Sequence, residues 1–154
     1  MAAKERKSKK RSAASSTRPD GFVLFLDRCL GRHVVAEALR TAGSEVEVHA
    51  DHFREDAPDD EWLDWVGRKG WLVLTKDKRI RYRQTEFEAV VQANVRLFVL
   101  TAGNVTAMEM GEIFAKALRG MNSLAGNHDA PFVARVTKGG SVSLYDRRKS
   151  KISG

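Results

Sequence analysis

Three short runs constrain this chain more than anything else in it. "FVLFL" at 22–26, "WLVLT" at 71–75 and "VRLFVL" at 95–100 are apolar at nearly every position. A strand wetted on one side alternates apolar with polar residues. A strand without that alternation has to be covered on both faces. Between the runs the apolar period becomes helical. "RHVVAEALRTAG" sets Val34, Val35, Ala38 and Leu39 on one helical face, and Gly43 stands where a helix-ending glycine belongs. "DDEWLDWVGRKG" opens with acids, spaces Trp62, Leu63 and Val66 for a second helix, and stops at Gly70. "QTEFEAVVQAN" turns Phe87, Val90 and Val91 inward. Buried strands alternating with helices predict βαβ units, so the expected class is α/β with a mostly parallel sheet.

The remaining segments fit around that frame. "EVEVH" alternates as a half-buried strand does, and "ADHFREDAP" reads as a polar loop. Thr106 and Glu109 form the T-x-x-E pattern of a capping box, which predicts a helix through about Arg119. A loop bearing glycine and asparagine is expected next. "PFVARVT" and "SVSLYD" then flank Lys138-Gly139-Gly140, the signal of a C-terminal β-hairpin.

Charge is where composition enters. The formal net charge is +7, but the first nineteen residues hold seven cations against Glu5, and the last twenty hold six against Asp146. The middle of the chain is therefore mildly acidic. Basic ends attract polyanions whatever their sequence, by releasing condensed counterions. The same ends have too few apolar residues to fold, which predicts a disordered tail at 1–19, one domain at 20–146 and a basic tail at 147–154. No run is long enough for a membrane span, and the basic N-terminus lacks the apolar core of a secretory signal. A single cysteine, Cys29, excludes an internal disulfide and suits a reducing, cytoplasmic compartment.

Function is suggested by where the acids fall. Asp27 follows the first buried run and Asp77 follows "WLVLT" by two residues. Both then stand at the carboxyl edge of one parallel sheet, where α/β folds bind ligands. Asp59 and Asp60 open the helix that leads into the Asp77 strand, and such a helix starts at that same edge. Taken singly, Asp59 or Asp60 is an ordinary N-cap, and Asp27 or Asp77 an ordinary turn residue. Taken together, carboxylates from three segments repel one another unless a cation sits among them. Mg²⁺ or Mn²⁺ takes such oxygen ligands and activates phosphodiester hydrolysis. The basic run around Asp77, namely Lys76, Lys78, Arg79, Arg81 and Arg83, would then hold the backbone of an RNA.

The stretches "FLDRCLGRHVVAEALRTAGSEVEVHADHF", "APDDEWLDWVGRKGWLVLTKDKRIRYR" and "VRLFVLTAGNVT" resemble the PIN-like domains grouped with VapC-type toxins and Mut7-C-like proteins. The resemblance covers about residues 22–119. It implies a Rossmann-like, PIN-type three-layer sandwich and a Mg²⁺- or Mn²⁺-dependent endoribonuclease, of the kind that serves as toxin in a toxin–antitoxin pair. It places the metal and catalytic acids on Asp27, Asp59 and Asp77, with Asp60 beside Asp59. For a fourth acid the positions are Asp51 and Asn104, the latter an amide. Where related short sequences carry a further acid after the Asp77 position, this chain has Lys78 and Arg79. The family also implies an antitoxin protein as partner and a homodimer.

Two rival readings share the residues. One is a non-catalytic nucleic-acid-binding module on the same fold, favoured by the missing fourth acid. The other is a phosphoacceptor domain, disfavoured because "LDRC" lacks the usual acidic pair. The four histidines lack the paired spacing of a zinc site. Trp62 and Trp71 fit core positions, whereas Trp65 is off the apolar stripe and available to stack on a base. No glycine-rich phosphate loop and no nucleophile elbow is present.

Overall fold

In a computed structural model, residues 21–76 and 84–145 are described, with the side chains of 84–86 left aside. The expected tails, Asp77, and the cations Lys78, Arg79, Arg81 and Arg83 lie outside the described residues.

Six strands form one sheet. They are β1 (Leu24–Leu26), β2 (Val46–Val48), β3 (Leu72–Thr75), β4 (Arg96–Leu100), β5 (Phe132–Val136) and β6 (Val142–Leu144). Their order across the sheet is β2-β1-β3-β4-β5-β6. Neighbours from β2 through β5 are parallel, and β6 returns antiparallel to β5 as the expected hairpin. In register, Leu24 stands beside Val46 on one side and Leu72 on the other.

Among the described residues, four helices cover the sheet: α1 (Val34–Thr41), α2 (Asp59–Lys69), α3 (Gln84–Gln92) and α4 (Ala107–Asn127). Side chains of a strand alternate between its two faces. Leu24, Leu26, Leu72, Leu74, Phe98 and Leu100 accordingly enter one core with residues of α1 and α4. Phe25, Val73, Leu97 and Val99 enter the opposite core with Trp62, Leu63 and Val66 of α2 and Val90 of α3. The three layers follow from strands that are apolar on both faces. Each such side chain contributes roughly 1.5–3 kcal/mol when fully buried.

Three local expectations are corrected. Val34 is 45% exposed and Ala38 only partly buried; α1 buries Val35 and Leu39 as expected, together with Ala36. Its inward stripe is turned because the helix packs on α4 as well as on the sheet; a Cβ on Gly111 of α4 would lie 2.8 Å from that of Ala38. Val91 is 43% exposed, leaving Val90 as the buried valine of α3. Most plainly, α4 continues past Arg119 to Asn127, through the segment expected to be a loop. Met121 and Ala125 are buried there, and Asn122 Oδ1 accepts from the Phe22 amide at 2.9 Å. That packing outweighs the ~1 kcal/mol a glycine costs inside a helix.

The topology also fixes where a site belongs. The chain leaves β1 toward β2 on one side and later places β3 on the other. The carboxyl ends of β1 and β3 therefore flank a switch point, where the connections diverge and open a crevice. Among the described residues, no helix is long and apolar enough to cross a membrane.

Candidate active site

Asp27 follows β1 directly and is buried, 7% exposed. A carboxylate taken out of water needs donors. Oδ1 accepts the Arg28 amide at 2.7 Å, and Oδ2 accepts the Thr75 hydroxyl at 2.8 Å. The Cys29 thiol donates to Oδ2 at 3.5 Å. Thr75 is the last residue of β3, so the bond ties the two strand ends at the switch point. The 3-10 turn Arg28–Leu30 follows Asp27, which caps it. Burial, with the Asp27 charge adding to it, pushes the Cys29 thiol up to about 11. The Cys29 thiol thus serves as a protonated donor to the carboxylate.

Asp59 is the first residue of α2, whose first turn is Asp59, Asp60 and Glu61. Its Oδ1 accepts the Trp62 indole N–H at 3.1 Å. The Arg28 guanidinium lies 3.5 Å from the same oxygen, with both side chains about a third exposed. Arg28 thereby joins the two acids: its amide holds Asp27 and its guanidinium faces Asp59.

The other named positions make no hydrogen bond to this pair among the described residues. Asp60 is exposed on the same turn of α2. Asp51 is exposed and paired with Arg32 at 3.7 Å. Asn104 is exposed on the bend after β4, and Lys76 is exposed directly after β3. Trp65 is half-buried rather than presented: it meets Phe53 and Trp71 edge-on at 5.2 and 5.3 Å, with the Lys69 ammonium over its ring at 5.2 Å. His52 pairs with Glu47 at 2.7 Å.

One residue of the site was missed from sequence. His49 follows β2 at the carboxyl edge and is 1% exposed. Its ring lies among Phe25, Phe53 and Trp62, and neither nitrogen has a partner among the described residues. Burial pushes its pKa down; the Arg28 charge acts the same way, and those of Asp27 and Asp59 oppose it. The signal that finds His49 is its place one residue beyond a parallel strand, not its spacing from other histidines.

The carboxylates of Asp27 and Asp59 are hard oxygen donors from two segments at one rim. That donor chemistry fits Mg²⁺ or Mn²⁺, which often takes one or two protein carboxylates and leaves the rest of its shell to water and phosphate. Among the described residues, no group of three or more His, Cys, Asp or Glu is gathered closely enough to hold a metal ion.

The profile of the family described as "PIN like domain" matches residues 22–102, from the start of β1 past the end of β4. This chain belongs to that family. The matched span contains Asp27, Asp51, Asp59, Asp60 and Asp77 but not Asn104, and it contains the whole switch point. A relative in Mycobacterium tuberculosis, VapC45, named there as a proposed ribonuclease, is 26% identical over 117 residues. That alignment spans 73% of this chain and 84% of the relative. No solved structure matches the chain. The PIN-like fold is consistent with membership of a nuclease superfamily.

Proposed function

We propose that this PIN-like protein is a metal-dependent endoribonuclease whose site is the β1–β3 switch point. The observation that carries the reading is the buried Asp27 carboxylate. It is held at the mouth of the sheet by donors from two strand ends, with the Asp59 carboxylate reached through Arg28. A carboxylate is costly to bury, and this one stands at the edge where α/β folds bind ligands.

Asp27 and Asp59 would hold the ion, and Asp77 would join them from the segment after β3. A bound Mg²⁺ or Mn²⁺ supplies positive charge to the scissile phosphate and makes water a better nucleophile at neutral pH. The chain's own contribution is geometric. Thr75 and the Arg28 amide fix the Asp27 oxygens, and Trp62 fixes Asp59. Lys76, Lys78, Arg79, Arg81 and Arg83 would bind the RNA backbone by charge, and the basic ends would add salt-sensitive affinity. Toxin action, with an inhibitory partner protein, and a homodimer follow from the family resemblance and belong to the same proposal.

The test is cleavage of total cellular RNA in Mn²⁺, wild type beside Asp77→Asn, with EDTA as control. Discrete products from wild type alone are expected. Equal products from both proteins would sink the mechanism. Salt-dependent RNA binding without products would support the second reading, a non-catalytic RNA-binding module. The Arg28–Asp59 pair favours that alternative, because it neutralises Asp59 without a metal.

A further inference from the structure

In the nuclease reading Arg28 holds Asp27 through its amide and pairs with Asp59 through its guanidinium, but has no contact with RNA. It lies 3.5 Å from Asp59 Oδ1, longer than the ~2.7–2.9 Å of a tight charge-assisted bond. The two side chains are 35% and 38% exposed, so water screens the pair and burial commits neither partner. Asp59 does not depend on Arg28 for its orientation, since the Trp62 indole N–H holds the same oxygen. Among the described residues, Oδ2 of Asp59 has no hydrogen-bond partner. The Arg28 backbone, by contrast, is fixed, because its amide donates to Asp27 at 2.7 Å.

We infer that Arg28 is a displaceable counter-ion: it neutralises Asp59 in the metal-free protein and moves to an RNA phosphate when a divalent cation takes that carboxylate. The inference rests on the metal-nuclease reading and adds a phosphate-contacting residue to it. A guanidinium and a dication on one carboxylate repel each other, so the weaker and more mobile of the two leaves. Arg28 cannot go far, because its amide stays on Asp27. The freed side chain remains within reach of anything bound at the two acids. Its planar fork of five donors suits a phosphate oxygen pair better than a carboxylate already bonded to an indole.

Two variants separate the halves of the proposal. Arg28→Gln removes the competing charge and the fork; Arg28→Lys keeps the charge and removes only the fork. Mn²⁺ affinity is measured by calorimetry on RNA-free protein. RNA affinity is then measured in saturating Mn²⁺, using a phosphorothioate-linked single-stranded RNA that resists cleavage. Arg28→Gln is expected to bind Mn²⁺ about two- to fivefold tighter than wild type, and the RNA about tenfold more weakly. Arg28→Lys is expected to match wild type for Mn²⁺ and to bind RNA more weakly. Unchanged or weaker Mn²⁺ binding by Arg28→Gln, or unchanged RNA binding by both variants, overturns the inference. If wild type binds Mn²⁺ and cleaves RNA while Arg28→Gln equals it throughout, the inference fails alone. If wild type binds no Mn²⁺, the metal-nuclease reading fails and the inference with it.

Discussion

The acids of this site differ in how much of the fold depends on them, and that difference is usable. Asp27 receives bonds from Arg28, Thr75 and Cys29 inside the protein, whereas Asp59 receives one from Trp62 at the surface of α2. In Asp59→Asn the amide oxygen still accepts the indole N–H. The variant should keep its stability to within about 0.5 kcal/mol in a urea melt and lose RNA cleavage. Parallel losses of both would make Asp59 a structural residue that anchors Trp62. His49 gives a pH signature. Its folded pKa lies below its ordinary 6.5, chiefly through burial, so below pH 6.5 the unfolded chain binds the proton first. Stability is then full above 6.5 and falls as pH drops toward the folded value. His49→Phe keeps an aromatic ring among Phe25, Phe53 and Trp62 and removes the titration. Its stability between pH 7 and 5 should decline less than that of wild type, and an identical decline would assign the effect elsewhere.

At the scale of elements, the cost of one methyl group depends on how closely two backbones meet. A Cβ on Gly67 of α2 would run into the Ala93 carbonyl oxygen, just past α3. A backbone carbonyl cannot turn aside as a side chain can. Gly67→Ala should therefore cost about 1–3 kcal/mol or more, read as a lower denaturation midpoint. Gly103→Ala meets nothing within 4 Å and serves as the control, expected within about 0.5 kcal/mol of wild type. The sequence marked α2 through its Gly70 stop, and the stop is there, in the left-handed conformation. It did not mark the Gly67 contact, because the partner lies on another element. Likewise the capping box that opens α4 was plain, with Thr106 and Glu109 bonding reciprocally. The helix's end was misread because burial of Met121 and Ala125, not local propensity, decides it.

For the whole molecule, charge is divided between a mildly acidic body and basic ends. If RNA is the ligand, the ends contribute through counterion release, which steepens the dependence of affinity on salt. A chain beginning at residue 20 should bind RNA more weakly at low salt. Its plot of log affinity against log salt should be shallower than that of the full chain. Equal slopes would remove the N-terminal segment from the interface. By itself the sequence determined the parallel sheet, its two cores and the carboxyl edge on which Asp27 and Asp59 stand. Those rest on periodicity, and periodicity is local. Only the tertiary structure decided what the acids touch. Thr75 meets Asp27 across 48 positions of chain, Arg28 turns to Asp59, and His49 is buried with both nitrogens unmet among the described residues. Each is a contact between segments distant along the chain. No pattern within one segment encodes such a contact, because it exists only once the strands have paired.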